Sequence, residues 1–257
     1  LFRKSLDLMN HRGPNNTGVE IFYEARIAIG HKRLAVLDLS SAGSQPMQDH
    51  NQQVVIAFNG EIYNYKELRL ELEKYNFKFH SASDTEVLLY GYKQFGVEIF
   101  DKLRGMFAVA IYDKLNGKLV LGRDRAGEKP LFYSHVNNEF FFSSEIKSLL
   151  CFSGVSNIID PLSVAQLFTF GHTNREHSIF KDIKKLPAGH HLIFDLNSRE
   201  LCIQDYWNIS SQLQHKKNFR NKTLTTDYFV DKLEFLLDKA VGNQLHADVP
   251  VGVLLSG

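Results

Sequence analysis

The sequence has little cysteine: two residues, Cys151 and Cys202, in a chain of 257. A disulfide framework therefore does not hold the fold together. The favoured reading is two buried free thiols in a reducing, cytoplasmic setting, with a single bridge as the alternative. Neither sign of charge is in excess, because 30 Lys plus Arg stand against 29 Asp plus Glu, a net charge of +1. A dedicated nucleic-acid binder would carry a basic surplus, so no such partner is expected. No apolar run approaches a membrane span, about 18 residues. Met106–Tyr112 and Val251–Leu255 are only strand-sized, so no membrane partner is expected either. Leu1-Phe2-Arg3-Lys4-Ser5 has no initiator Met and no apolar signal-peptide core, and reads as the start of a piece of a longer chain. Cys-x-x-Cys, His-Glu-x-x-His and calcium-loop spacings are missing, as are Gly-x-Gly-x-x-Gly and the Walker loop. That leaves no metal site expected and no nucleotide site of those two types.

What is present suits a folded domain. Hydrophobic residues make up 44% and charged residues 23%, with 20 Phe and 10 Tyr to fill a core. Such a composition excludes a mainly disordered chain. The length allows one large or two modest domains.

Leu1–Asn10 reads as the end of an amphipathic helix, stopped by the turn residues Gly13, Pro14, Asn15 and Asn16. Val19–Tyr23 and Arg26–His31 have strand composition, and Gln53–Phe58 reads as a buried strand that stops at Asn59-Gly60. Ile62–Tyr75 has helical spacing, and Asp84 is placed to cap a helix running to Phe95. Met106–Asp113, Lys118–Asp124, Leu131–His135 and Glu139–Ser143 read as strands, two of them joined at Asn116-Gly117. Hairpins alternating with helices favour antiparallel sheets with helices on their outer faces, an α+β fold. Residues 210–225 are polar and read as a linker. Thr226–Leu245 is an amphipathic helix with Thr226 or Asp227 as its cap, and Pro250–Leu255 reads as a buried strand.

Four segments carry candidate chemistry, each with a plainer alternative. Arg33, in Gly30–Asp38, is either an exposed strand residue or a planar fork for a carboxylate. Asn59-Gly60 is either a turn or an oxyanion hole built from a side-chain NH2 and a backbone N–H. Asp84 is either a helix cap or the partner of an ammonium group. Ser256-Gly257, after an apolar run, is a weak sign of an anion-binding loop.

Taken in order, the blocks are specific. They are His11-Arg12-Gly13-Pro14, His31-Lys32-Arg33-Leu34, Gln45-Pro46-Met47, Phe58 to Asn64 (Phe-Asn-Gly-Glu-Ile-Tyr-Asn), Ser83-Asp84-Thr85-Glu86 and Leu103 to Ala108 (Leu-Arg-Gly-Met-Phe-Ala). Gly122 to Arg125, Lys129-Pro130-Leu131, Ser143 to Lys147 and Val249 to Gly257 complete the set. The chain closely resembles the N-terminal part of glutamine-dependent asparagine synthetases. These are class II, N-terminal-nucleophile amidotransferases fused to an ATP-pyrophosphatase domain.

The resemblance implies a four-layer αββα glutaminase sandwich over 1–209, a linker over 210–225, and the first helix and strand of an α/β synthetase domain over 226–257. It implies that Asn59 and Gly60 form the oxyanion hole. Arg33 would hold the glutamine α-carboxylate and Asp84 its ammonium, with Leu34, Val36, Leu37 and Glu61 close by. Leu255, Ser256 and Gly257 would begin an ATP loop that works with magnesium. Ammonia from glutamine would reach aspartate activated by ATP as an adenylate, forming asparagine. A homodimer is compatible with this reading. Members of the family open with the nucleophilic Cys, upstream of the position of His11. Neither Cys151 nor Cys202 replaces it, lacking a free α-amine. The expectation is an inactive polypeptide with an active parent. Two alternatives stay open: a related amidotransferase with another carboxylate acceptor, and a non-catalytic glutaminase-like domain.

Overall fold

The apolar run Val54–Phe58 sends alternate side chains into two different cores, as the two-residue period of a strand requires. Val54, Ile56 and Phe58 enter one core and Val55 and Ala57 the other. This strand lies in the middle of the protein, and the layers are stacked around it. The computed structural model describes residues 1–215 and 225–255.

The elements are α1 (Phe2–Asp7), β1 (Asn16–Phe22), β2 (Ile27–Arg33), β3 (Met47–Gln48), β4 (Val54–Ile62), α2 (Tyr65–Glu73), α3 (Asp84–Phe95) and α4 (Ile99–Lys102). Then come β5 (Gly105–Asp113), β6 (Lys118–Arg123), β7 (Phe132–Val136), β8 (Glu139–Ser143), α5 (Ile146–Leu149) and α6 (Pro161–Phe170). The rest are β9 (Lys184–Lys185), β10 (His190–Asp195), β11 (Leu201–Asp205), α7 (Ile209–His215) and α8 (Thr226–Gln244).

Six strands form one antiparallel sheet in the order β11-β10-β6-β5-β4-β3. Its outer face packs on α2, α3 and α4 through Leu68, Leu72, Leu88, Ile99 and Phe100. Its inner face meets Ile29 of β2 and Tyr133 of β7. The second β layer comes in two pieces, β1-β2 and β8-β7-β9. Leu149 of α5, with Phe132, Phe141 and Ile146, covers the far side of the second piece. The result is an α+β sandwich of helix, sheet, sheet and helix. Among the described residues no helix is long and apolar enough to cross a membrane.

Several expectations need correction. β4 does not stop at Asn59-Gly60. It runs on to Ile62, pairing Asn59 with Ala108 and Gly60 with Phe107 on β5. Gly60 makes this continuation feasible. Its φ is +154°, and a Cβ there would stand 2.0 Å from the Met106 carbonyl oxygen. Only glycine fits both conditions. The helix predicted from Ile62 accordingly starts at Tyr65. Ser83, not Asp84, caps α3, its hydroxyl accepting from the Glu86 N–H. Thr225 caps α8 in place of Thr226 or Asp227. Part of the expected linker is helical, since α7 covers Ile209–His215, and 216–224 lie outside the described residues. Among the described residues Pro250–Leu255 joins no sheet, and Leu254 and Leu255 are 101% and 92% exposed. A strand without a neighbour has no ladder to enter, whatever its side chains. Both cysteines are free, but neither is buried: Cys151 is half-buried and Cys202 exposed.

Candidate active site

β2 ends at Arg33, β4 at Ile62, and α3 begins at Asp84. These three termini converge on a cavity of about 330 Å³. Arg33, Leu34, Val36, Leu37, Asn59, Gly60, Glu61 and Asp84 all line it. The structure thus gathers eight candidates from three separate segments. The other three are not among them. Leu255 is exposed, and Ser256 and Gly257 lie outside the described residues. Of the expected ATP loop, only Leu255 is among the described residues, and it lies outside this cavity.

Arg33 is buried, which excludes the exposed-strand alternative. Its Nη1 donates to the Ser40 carbonyl at 2.9 Å, and its Nη2 donates to the carbonyls of Leu37 (3.3 Å) and Asp38. A guanidinium carries five N–H groups, so these bonds leave the Nε–H and one Nη1–H for a ligand. The neighbouring wall is tight. A Cβ on Gly43 would stand 2.3 Å from Arg33 Nη2. Arg33 thus both folds the 34–40 loop over the cavity and presents positive charge to it.

Asp84 is buried at the first turn of α3, and its Oδ2 accepts the Ile62 N–H at 2.9 Å. Burial pushes its carboxyl up to about 6. The Ile62 N–H opposes that rise and the nearby Glu61 adds to it. Burial also raises Glu61, while the Lys129 ammonium pulls it down. Two carboxylates and the Lys129 ammonium thus line the same cavity as Arg33. A buried acid without a cation of its own favours a cationic ligand group.

Residues not singled out from the sequence complete the wall. His31 Nε2 lies 3.0 Å from the Phe58 carbonyl, so Nε2 carries the proton and donates there. Burial lowers the imidazole to about 4, against the Phe58 hydrogen bond, and Arg33 lowers it further. It is therefore neutral near pH 7, with a buried, unpartnered Nδ1. Gln45 accepts from the Phe58 N–H at 2.6 Å and donates to Thr85 Oγ1 at 3.3 Å, tying β4 to α3. His31, Gln45 and Lys129 belong to blocks that were legible, but no spacing rule marked them as wall residues.

The remaining blocks turn out to be fasteners. Glu145 accepts from His11 (2.8 Å) and Arg12 (3.4 Å), joining two blocks far apart in sequence. Asn64 bridges Lys102 and Arg104, and Asp124 accepts the N–H groups of Phe107, Ala126, Glu128 and Lys129. That last set holds Lys129 at the cavity. A second, apolar cavity of about 300 Å³ opens beside the first, with His31, Phe58 and Asn59 in both walls. It lies between β2 and β8, each the edge of its sheet. Neither cysteine lines either cavity. Cys151 Sγ instead contacts the Lys147 carbonyl at 3.8 Å.

The family model of the glutamine amidotransferase domain matches residues 1–207. The chain belongs to that family. This amidotransferase domain is similar to a putative asparagine synthetase (glutamine-hydrolyzing) 2 of Methanocaldococcus jannaschii, 36% identical and covering 100% of this chain and 52% of that protein. It is 37% identical to asparagine synthetase (glutamine-hydrolyzing) 3 of Bacillus subtilis, over 98% of this chain and 39% of the other. It is 34% identical to amidase chry2 of Gibberella zeae, over 98% of this chain and 36% of that one. The chain spans about half or less of the length of these curated relatives. A solved glutamine phosphoribosylpyrophosphate amidotransferase of B. subtilis shares the fold, with a TM-score of 0.55 and 19% identity over 79% of this chain and 45% of that one.

Proposed function

We propose that the cavity binds L-glutamine and that the parent protein hydrolyses its side-chain amide. The observation that carries this reading is the meeting of buried Arg33, buried Asp84 and the Asn59-Gly60 pair around one cavity. The two ends of the amino acid suit the two charges. The α-carboxylate takes the remaining N–H groups of Arg33, and the α-ammonium faces Asp84 and Glu61. The side-chain carbonyl then points to Asn59 and Gly60, whose amide N–H groups stabilise the tetrahedral oxyanion.

The nucleophile is a thiolate on an N-terminal Cys whose α-amine handles the proton. Sulfur attacks the amide carbon, the C–N bond breaks, and the amine passes its proton to the departing ammonia. Water then cleaves the thioester to glutamate. The gap between the open edges of β2 and β8, with Asn59 in its wall, suits an extended segment bringing that thiol to the oxyanion hole. In this proposal 1–209 is the amidotransferase domain and 226–257 begins a synthetase domain. ATP with magnesium would there activate the carboxylate that accepts the ammonia, aspartate in the first reading. A second reading keeps the acceptor open. The chry2 amidase matches as much of this chain as the B. subtilis synthetase does, so this span does not separate acceptors.

The test is N-terminal sequencing and intact mass of the protein purified from its source, with ammonia release from glutamine. A leading Cys, a chain well beyond Gly257 and released ammonia are expected. A native protein that starts at Leu1 contradicts the thiol mechanism.

A further inference from the structure

The loop that closes the cavity is held from three directions. From inside, Arg33 binds the carbonyls of Leu37, Asp38 and Ser40. From the α3 side, the Ala82 N–H donates to Asp38 Oδ2 at 2.9 Å, two residues before Asp84. The third hold comes from 210 residues further along the chain: the Asp38 N–H donates to Asp248 Oδ2 at 2.8 Å. The Asp248 N–H returns a bond to the Val36 carbonyl at 3.0 Å. These two bonds bracket Leu37, which lines the cavity together with Val36.

Asp38 needs the support. Its φ is +51°, in the left-handed region, which few residues with a Cβ adopt without local hydrogen bonds. The turn carries Leu37 toward the cavity, and every backbone group of Asp38 at the bend has a partner: its N–H meets Asp248, and its carbonyl meets Arg33. Two of the three holds belong to the sandwich. The third belongs to the segment after α8, whose Pro250–Leu255 run lies exposed.

We propose that Asp248 is a positioning residue of the glutamine site, fixing the Val36–Asp38 turn over the cavity from the C-terminal segment. The proposal rests on the glutamine reading above. It has a reciprocal consequence. If Asp248 favours the closed loop, then glutamine, by favouring the closed loop, tightens the hold on Asp248. The C-terminal segment thereby senses whether the cavity is filled.

Calorimetric titration of L-glutamine into the 257-residue chain tests this, alongside hydrogen exchange. Asp248→Ala should weaken binding about threefold to tenfold, the worth of one or two exposed hydrogen bonds. Asp248→Asn keeps an acceptor for the Asp38 N–H and should bind as the wild type does. The Asp38 amide should exchange faster in Asp248→Ala, with β4 and β5 amides unchanged, and glutamine should slow it in the wild type. Unchanged affinity in Asp248→Ala overturns the proposal. So does equal weakening by both substitutions, or a general loss of protection, which would mark a merely structural role. A wild-type chain that binds no glutamine overturns the functional reading itself, and this proposal with it. Binding that ignores Asp248 overturns this proposal alone.

Discussion

Strand β4 and the run Pro250–Leu255 are both apolar, yet they lie in opposite surroundings. β4 pairs with β3 and β5, and Val54 through Phe58 are buried. Pro250–Leu255 pairs with nothing among the described residues, and its leucines face solvent. α8 repeats the contrast with α3: Phe229, Leu233 and Leu237 are about half exposed, whereas Val87, Leu88 and Leu89 are at 1%. The difference teaches that an apolar pattern becomes core only where a neighbour completes it. It also explains where the cavity sits. Asn59, Gly60 and Glu61 line it from the end of β4, where pairing with Ala108, Phe107 and Met106 of β5 fixes their backbone before any ligand arrives.

The largest expected effect comes at the clamp. Gly60→Ala drives a Cβ into the Met106 carbonyl and should cost more than about 4 kcal/mol of unfolding free energy in urea titrations. An unchanged midpoint would mean that β4 stops before Gly60 after all. Ile56→Ala empties a fully buried position and should cost about 2–5 kcal/mol by the same assay. At the cavity, Asp84→Asn should weaken glutamine binding about tenfold to a hundredfold by removing a charge-assisted bond, as read by calorimetry. Smallest is Leu254→Ala, expected within about 0.5 kcal/mol of the wild type. A large loss there would show that the C-terminal run is packed, and would erase the contrast with β4.

Much of the sandwich is legible because its strands carry their own signals. β8 falls on Glu139–Ser143 and β6 on Lys118–Arg123, one residue short of the expected strand, much as composition predicts. Asn116-Gly117 turns β5 into β6, with Gly117 at φ +60° and Asp113 accepting from Asn116. The two-residue strands β3 and β9 are too short for any period to register. The passage of β4 through Asn59-Gly60 is hidden for another reason. Asn-Gly reads locally as a turn, and only the close approach of β5 shows that the glycine serves a ladder. Ser83 outcompetes Asp84 as the cap because the Asp84 carboxylate is turned to the Ile62 N–H, a contact across 22 residues. Asp248 is the extreme case, since no local pattern marks a residue whose partners lie 210 positions away.

The account turns on a cavity shaped for both ends of an amino acid, and the pH dependence of glutamine binding addresses it most directly. Asp84 sits at about 6 in the empty protein. An ammonium ligand prefers its ionised form, so bound glutamine brings that raised value back down. Calorimetric titration across pH 5 to 8 should therefore give constant affinity above about 6 and a decline approaching about tenfold per unit below it. In Asp84→Asn that decline should vanish. Absence of binding at every pH, or a wild-type profile as flat as that of Asp84→Asn, would contradict the account.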